Sequence, residues 1–546
     1  MSLPPGVLFL INRIPQIFSP ILTCYVILTA LLRLSSSVQV SFWKKLLVSF
    51  IFQPLLVVIK VWYRDYMHMK EARGFGAESP PRYKHSKIGG LDIIQALSNQ
   101  LEEGYIGDVF HDMMEREKSS TIIFRTLFED RYVTADPEHI KAMLTTQFDN
   151  FNIGNSDFLG ALLGNGIFTS DGDLWRFHRG IIRPFFNKGR ITDFEIFERH
   201  TQVALDQATA RLQEGVAVDM QDLFSRFTMD SSAEFLLGDD VRSLSAALPY
   251  PPSSPLYAKG GPHSSDAFTK DFRRAQDLVS ERGQRGRNWP LWEFWKDEIK
   301  ERRIQLTDYI NPILERALER KRNKGEKNGG KEQKTREVKE VGSMLDYLVG
   351  QTEDKTLLLD TILGILLAGR DTTGCSLTFT LYMLAEHPSV LKKVREEIIE
   401  HLGLERSPTF DDMRKMKYLR AVINETLRLY PPVPTNIRVS VRSTVLPNKD
   451  PGQKGIFIPA GTQVTFIVLL MHRRKDLWGP DALEFDPDRW LDDRVKHYTS
   501  NPFIFVPFNA GARICLGQQF AYHATSYFII RYLQRFSKIT PPWVTT

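Results

Sequence analysis

The chain has 546 residues, more than one compact core usually accommodates, although a single large cofactor-binding domain of roughly 450 to 500 residues stays open. With 42% hydrophobic and 25% charged residues it is composed as a folded protein, which excludes widespread disorder. The net charge of +6 is no nucleic-acid signature: Arg13, Arg33, Lys44, Lys45 and Lys60 lie in residues 1–60, which hold no acidic residue, leaving 66 of the 71 basic residues against 65 acidic ones elsewhere.

Two apolar stretches open the chain, Ile17 to Leu32 and Leu46 to Ile59. Each is shorter than the roughly 20 residues that cross a bilayer upright, but Trp43 and a snorkelling Lys60 extend them. No small-residue cleavage site follows, so residues 1–66 read as a retained membrane anchor, with an amphipathic subdomain lying on the membrane as the alternative. Arg13 and the Lys44-Lys45 pair give conflicting orientation signals, which leaves one or two spans open. Residues 67–84 contain the stiff pair Pro80-Pro81 and are expected to link the anchor to a catalytic domain over 85–546.

That domain reads as mainly helical with small β-sheets. β-like runs occur at Thr121 to Phe128 and at Gly455 to Leu470, the latter turning at Pro459-Ala460-Gly461. The Lys-, Glu-, Gly- and Asn-rich stretch at about 321–341 is expected to be an exposed loop within the domain. From Ser343 to His387 the pattern predicts an almost continuous helix ending at Pro388.

Three cysteines, Cys24, Cys375 and Cys515, are too few for a disulfide framework or a Cys-rich zinc site, which points to a reducing compartment. Cys515 lies in Pro507-Phe508-Asn509-Ala510-Gly511-Ala512-Arg513-Ile514-Cys515-Leu516-Gly517. Two glycines bracket it, letting the backbone fold so that N–H groups face the sulfur and stabilise a thiolate. The apolar helical run Gln518 to Phe536 adds the favourable end of a helix dipole, and Arg513 suits a carboxylate such as a haem propionate. A lone cysteine is usually a small buried hydrophobe, as Cys24 and Cys375 are expected to be.

Three distant motifs accompany this loop. Ala368-Gly369-Arg370-Asp371-Thr372-Thr373 sets small residues, which let a helix open against a flat cofactor, beside an acid and a hydroxyl able to move protons. Glu425-Thr426-Leu427-Arg428 places acid and base on one helix face, commonly a solvated bridge of little energy. Trp175-Arg176-Phe177-His178-Arg179 places Trp175 and Arg179 one turn apart, which also suits a surface amphipathic helix.

The cysteine segment resembles the haem-binding loop of the cytochromes P450, and the three motifs resemble that family's others in the same order. The resemblance spans roughly residues 85 to 540. It implies a cytochrome P450 fold preceded by a membrane anchor, with haem b held by Cys515 as axial iron ligand, a thiolate that promotes O–O cleavage. Phe508, Gly511 and Gly517 would shape the loop, and Trp175, Arg179, Arg438 and Arg513 would meet the propionates. Thr372 would be the hydroxyl and Asp371 the acid of oxygen activation. Glu425 and Arg428, joined by Arg489 from Phe485-Asp486-Pro487-Asp488-Arg489-Trp490, would form a buried structural triad, so that removing one charge costs several kcal/mol.

The expected reaction takes RH, O2, two electrons and two protons to ROH and water. Leu162 to Gly172 resembles fungal members that hydroxylate alkanes and fatty acids, implying terminal hydroxylation of long chains. Pocket walls are expected from Phe148 to Phe168, Phe268 to Trp295 and Leu367 to Thr373. Alternatives are a hydroxylase of aromatic, polycyclic or secondary-metabolite substrates, a peroxide-rearranging isomerase or dehydratase, against which Asp371-Thr372 counts, and a non-catalytic haem sensor or carrier. No flavin or nicotinamide fingerprint is present, so electrons are expected from NADPH through a separate membrane-bound flavoprotein reductase. Gly325 to Lys331 imitates a phosphate loop, but Glu332 stands where Ser or Thr should follow. Expected partners are the lipid bilayer, a hydrophobic small molecule and O2, with no nucleic acid. The expected location is the endoplasmic reticulum membrane, with the catalytic domain facing the cytosol.

Overall fold

Helices dominate the computed structural model, which describes residues 3–34, 40–126, 128–154, 156–186, 194–251, 254, 256, 264–327, 342–448, 450 and 452–541. The two apolar stretches become longer helices, α1 (Pro5–Leu34) and α2 (Phe42–Gly74), both long and apolar enough to cross a membrane. The expected linker 67–84 therefore begins inside a helix. Its second half is bonded to the body: Phe457 N–H donates to the Glu78 carbonyl at 2.8 Å, and Ile123 N–H to that of Pro81 at 2.9 Å. Proline, lacking an N–H, still offers that carbonyl to the neighbouring strand.

A five-stranded sheet runs in the order β1 (Thr121–Thr126), β2 (Glu129–Thr134), β7 (Gln463–Ile467), β4 (Thr435–Ser440), β3 (Phe151–Ile153). Within this sheet β2 and β7 pair in parallel, with Val133 opposite Thr465. A second sheet pairs β5 (Thr444–Leu446) with β6 (Ile456–Ile458). The two β-like runs of the sequence are thus β1, β6 and β7, and β4 carries Arg438.

The helices that position the site are α3 (Gly172–Ile182), α4 (Met220–Leu237), α5 (Ser264–Arg285), α6 (Glu298–Lys327), α7 (Met344–Gln351), α8 (Lys355–Glu386), α9 (Lys417–Leu429) and α10 (Gln518–Arg535). The helix expected over 343–387 is broken between α7 and α8. The break falls at Asp354, whose carboxylate accepts from the N–H groups of Thr356 and Leu357 at 2.9 and 3.1 Å and so restarts the helix. Of the expected loop at 321–341, residues 321–327 continue α6, and 328–341 lie outside the described residues.

The core gathers α4, α8, α9 and α10. Phe528 of α10 meets Phe224 and Phe227 of α4 edge-on, with ring centroids 5.1 and 4.7 Å apart. Glycines let α4 and α8 approach closely: a Cβ at Gly369 would lie 3.1 Å from Ser232 Oγ, and one at Gly374 3.4 Å from Thr228 Oγ1. Gly369, one of the two small residues expected to open the helix toward a cofactor, serves this packing, and α8 runs unbroken from Lys355 to Glu386.

A buried ion pair ties three segments over α8. Asp360 accepts from Arg303 of α6 at 2.5 Å and from Asn165 N–H at 2.8 Å, and Arg303 also donates to the Leu162 carbonyl at 3.0 Å. Gly164 has φ +60°, and any side chain there would strike the Asp360 carboxylate.

Candidate active site

The cysteine loop is shaped by two left-handed residues, Asn509 at φ 63° and Gly511 at φ 64°. Cys515 N–H closes the loop by donating to the Phe508 carbonyl at 2.9 Å, while the Phe508 ring leans on Tyr522, 5.1 Å between centroids. Gly511 is required twice over, by its φ and because a Cβ would collide with the Leu144 backbone carbonyl. Gly517 differs from expectation: its φ is −83°, and a Cβ would sit 3.9 Å from Cys515 Sγ in ordinary contact. Its contribution is its N–H, which bonds the sulfur.

Cys515 opens into a recess of about 700 Å³ lined with Arg179, Arg183, Phe186, Gly511 and Leu516. Cys515 is exposed to this recess, yet the protein packed around its sulfur pushes the thiol pKa up by desolvation, and the Gly517 N–H and the Arg179 charge pull against that without overcoming it. The loop's hydrogen bonding and charge therefore do not by themselves make a thiolate. A metal cation at the sulfur does, because a coordinating thiol is deprotonated outright.

Three guanidinium groups converge beside this recess. Arg513 donates to Asp171 Oδ1 at 2.6 Å and stacks 4.4 Å above the ring of buried Trp175. Arg179 lies 5.8 Å from that ring and donates to the Ile514 carbonyl at 3.0 Å. Arg438, only 3% exposed, reaches the Ile437 carbonyl at 2.7 Å and leaves its buried Nε without a partner. Burial lowers all three pKa values, those of Arg438 and Arg513 to about 10, and mutual repulsion adds to the effect. Asp171 is the one carboxylate bonded to any of them among the described residues. Two positive charges are left without counter-ions, which fits a planar cofactor carrying two carboxylates, as haem does.

Thr372 lies on α8 with its hydroxyl donating to the Ala368 carbonyl at 2.6 Å. Asp371 bonds Gln276 of α5 and stands 3.4 Å from Arg370, a guanidinium buried at 3% exposure whose pKa burial lowers. Arg370 in turn donates to Ser225 Oγ at 2.8 Å. The acid and the hydroxyl are thus neighbours with different anchors.

The structure brings Glu425, Arg428 and Arg489 together. Arg428 grips Glu425 through two bonds of 2.7 and 2.8 Å, and Arg489 Nε reaches the same carboxylate at 3.3 Å, with all three side chains at most 1% exposed. Trp490 Nε1 and Asp486 N–H complete its shell at 3.0 and 3.1 Å. Arg428 also donates to the carbonyl of His472 at 2.9 Å, and the ring of His472 accepts from Val506 N–H at 3.0 Å, at the entry to the cysteine loop. Complete burial and the Arg428 charge push the His472 pKa down to about 3, so the ring is neutral and Nε2 acts as acceptor.

Asp171, Gln276, His472 and Trp490 were not singled out by the motif reading. Asp171 and Trp490 stand within quoted segments, and an acid four residues before the Trp175–Arg179 helix face was a usable signal for Asp171. Nothing in the sequence marks Gln276 or His472.

A cysteine facing a recess ringed by uncompensated arginines defines a haem-thiolate class of site. The family model for cytochrome P450 matches residues 96–545. Cytochrome P450 monooxygenase g430 of Fusarium sp is 35% identical over 500 residues, covering 89% of this chain and 84% of that protein. Cytochrome P450 52A13 of Debaryomyces hansenii is 35% identical over 475 residues, with 85% and 86% covered. Cytochrome P450 monooxygenase fsdH of Fusarium heterosporum is 37% identical over 483 residues, with 85% and 78% covered. The chain belongs to the cytochrome P450 family and is a monooxygenase.

Cys515→Ala is expected to abolish the Soret band of the reduced, carbon-monoxide-bound thiolate form, while Cys24→Ala and Cys375→Ala retain it. Glu425→Ala strands the buried Arg428 guanidinium, while Arg489 keeps Asp481 at 3.1 Å, and should cost about 3 to 5 kcal/mol in denaturant unfolding of the holoprotein. The His472 pKa is depressed in the fold from 6.5, so its stabilisation is complete above pH 6.5 and is lost as pH falls toward 3, by up to about 1.4 kcal/mol per unit. Melting temperatures measured across that range should fall less steeply for His472→Gln than for the unsubstituted protein.

Proposed function

We propose that this monooxygenase hydroxylates long-chain fatty acids or alkanes at or next to the terminal carbon, with haem b held by Cys515. The observation that carries the cofactor assignment is the pair of uncompensated guanidinium charges beside the Cys515 recess. Arg179, Arg438 and Arg513 hold the two propionates, with Trp175 as the apolar surface under Arg513. When bound, haem supplies the iron chemistry that activates dioxygen and inserts one atom into a C–H bond.

The chain's own residues do the rest. Thr372 presents a hydroxyl on the face of α8 shared by Gly364 and Ala368, eight and four residues back. Asp371, tethered by Gln276 beside Arg370, is the nearest acid and returns protons to that hydroxyl. Glu425, Arg428 and Arg489 fix the segment that feeds the cysteine loop.

The substrate reading rests on the likeness of Leu162 to Gly172 to fungal fatty-acid and alkane hydroxylases. Its placement supports it: Phe168 stands 3.4 Å from where a Cβ of Gly364 would lie, on the Thr372 face of α8. The Arg303–Asp360 pair clamps the same loop, giving an apolar wall that is held still. The aromatic residues expected from 268–295 divide. Phe268 and Phe272 lie in the core, whereas Trp292 and Trp295 face outward at 60% and 72% exposure. Electrons are supplied from NADPH by a membrane-bound flavoprotein reductase, and α1 and α2 hold the enzyme in the endoplasmic reticulum membrane with the catalytic domain in the cytosol.

Thr372→Ala should keep its haem but release more hydrogen peroxide, with less product per electron supplied. Product yield per NADPH oxidised, measured in a reconstituted system with reductase, checks this. Spectral titration with fatty acids of increasing length should show affinity rising by up to about 0.8 kcal/mol per methylene, roughly fourfold in Kd, until the channel is full. Mass spectrometry of the products should locate the hydroxyl at the chain end. Tight binding of compact polycyclic compounds in preference to long chains would overturn the substrate reading.

A further inference from the structure

Building on that membrane-anchored reading, we propose that α1 and α2 cross the bilayer as a hairpin, so that the N-terminus lies on the same side as the catalytic domain. Both near ends are fixed to the body. Gly6 N–H donates to the Phe294 carbonyl at 2.9 Å, and a Cβ at Gly6 would lie 2.8 Å from Phe294 Cα, so only glycine allows this approach. On α2, Arg64 donates to the Phe128 carbonyl at 2.9 Å, and Asp65 pairs with Arg125 at 2.8 Å. At the far end the helices touch each other: the Tyr25 and Phe42 rings are 5.7 Å apart, and Lys45 Nζ lies 5.6 Å from the Tyr25 ring. The helices are therefore antiparallel.

The dimensions match a bilayer. At 1.5 Å per residue, α1 from Pro5 to Leu34 is about 44 Å long and Phe42 to Arg64 spans about 33 Å, each enough to cross a hydrocarbon core of about 30 Å. Trp43 and Trp62, exposed by 73% and 68%, stand about 29 Å apart along α2, the separation of two interfacial aromatic belts. Trp292 and Trp295 flank Phe294 at the near end. Between the belts, Leu22, Ile51 and Val58 are 58% to 64% exposed, a surface suited to acyl chains. Two hydroxyls along it bond their own helix, Thr23 donating to the Ser19 carbonyl at 2.8 Å and Ser49 to that of Lys45 at 2.9 Å, which suits a lipid environment. Arg13, Lys60, Arg64, Lys70 and Arg73 lie toward the near end and outnumber Arg33, Lys44 and Lys45 at the far end, which orients the near end to the cytosol.

The test uses the full-length chain expressed in a eukaryotic host, with a long Gly/Ser loop bearing an Asn-X-Thr glycosylation acceptor placed either before Met1 or after Val40. The carbon-monoxide spectrum confirms folding of each version. Only the loop after Val40 should gain endoglycosidase-sensitive sugar. In sealed microsomes an impermeant maleimide should label Leu3→Cys at once and Ser41→Cys only after detergent. Sugar on the N-terminal tag overturns the hairpin in favour of a single span. Absence of sugar on both, with both cysteines labelled in sealed vesicles, overturns it in favour of helices lying on the cytosolic face. Extraction of the unsubstituted protein by alkaline carbonate would instead remove the anchoring reading itself.

Discussion

Positive charge without a counter-ion is the constraint around which the centre of this molecule is built. Arg438 is 3% exposed with an orphaned Nε, Arg513 is stacked on Trp175, Arg179 reaches over the cysteine loop, and Asp171 alone answers them. Leaving charges buried and unpaired costs several kcal/mol, so such a cluster persists in a working enzyme when a ligand completes it. The sulfur of Cys515 poses the same demand with opposite sign: desolvation disfavours the thiolate until a cation meets it. A dianionic macrocycle carrying a metal ion answers both.

The opposite device holds the frame. Glu425 is fully enclosed by five donors from Arg428, Arg489, Trp490 and the Asp486 backbone, so its charge is spent on geometry. Arg428 passes that rigidity to the His472 carbonyl, and the neutral ring of His472 passes it to Val506, where the chain turns into the cysteine loop. Gly511, pressed on the Leu144 carbonyl, then fixes where the sulfur lies. One half of the centre is over-determined, and the other half is left electrically incomplete.

Much of this was legible in the sequence because the chemistry is local there. The cysteine loop, the Glu425–Arg428 turn and the Trp175–Arg179 turn each place their partners within one helical turn or one tight loop. What escaped depends on long-range encounter. Asp171 meets Arg513 across 342 residues, and Gln276 meets Asp371 across 95. His472 lies between an apolar run and the basic Arg473-Arg474-Lys475, a setting that gives no hint of its bond to Val506. Gly369 was read toward the cofactor and faces α4, because helical periodicity does not say which neighbour a small residue admits. Gly517 brings an N–H to the sulfur, as the bracketing glycines were read to allow, but with an ordinary backbone angle. The break before α8 was missed because Asp354 is a cap only once the chain ahead of it leaves the helix.

The charge argument is tested most directly by the rate at which haem leaves the protein for a scavenging apoprotein, compared between the natural chain and an Arg438→Leu/Arg513→Leu double variant. Each charge-assisted hydrogen bond is worth about 1.5 to 3 kcal/mol, so the account predicts loss faster by about a hundredfold or more. Equal rates, with the thiolate spectrum intact in both proteins, would contradict it.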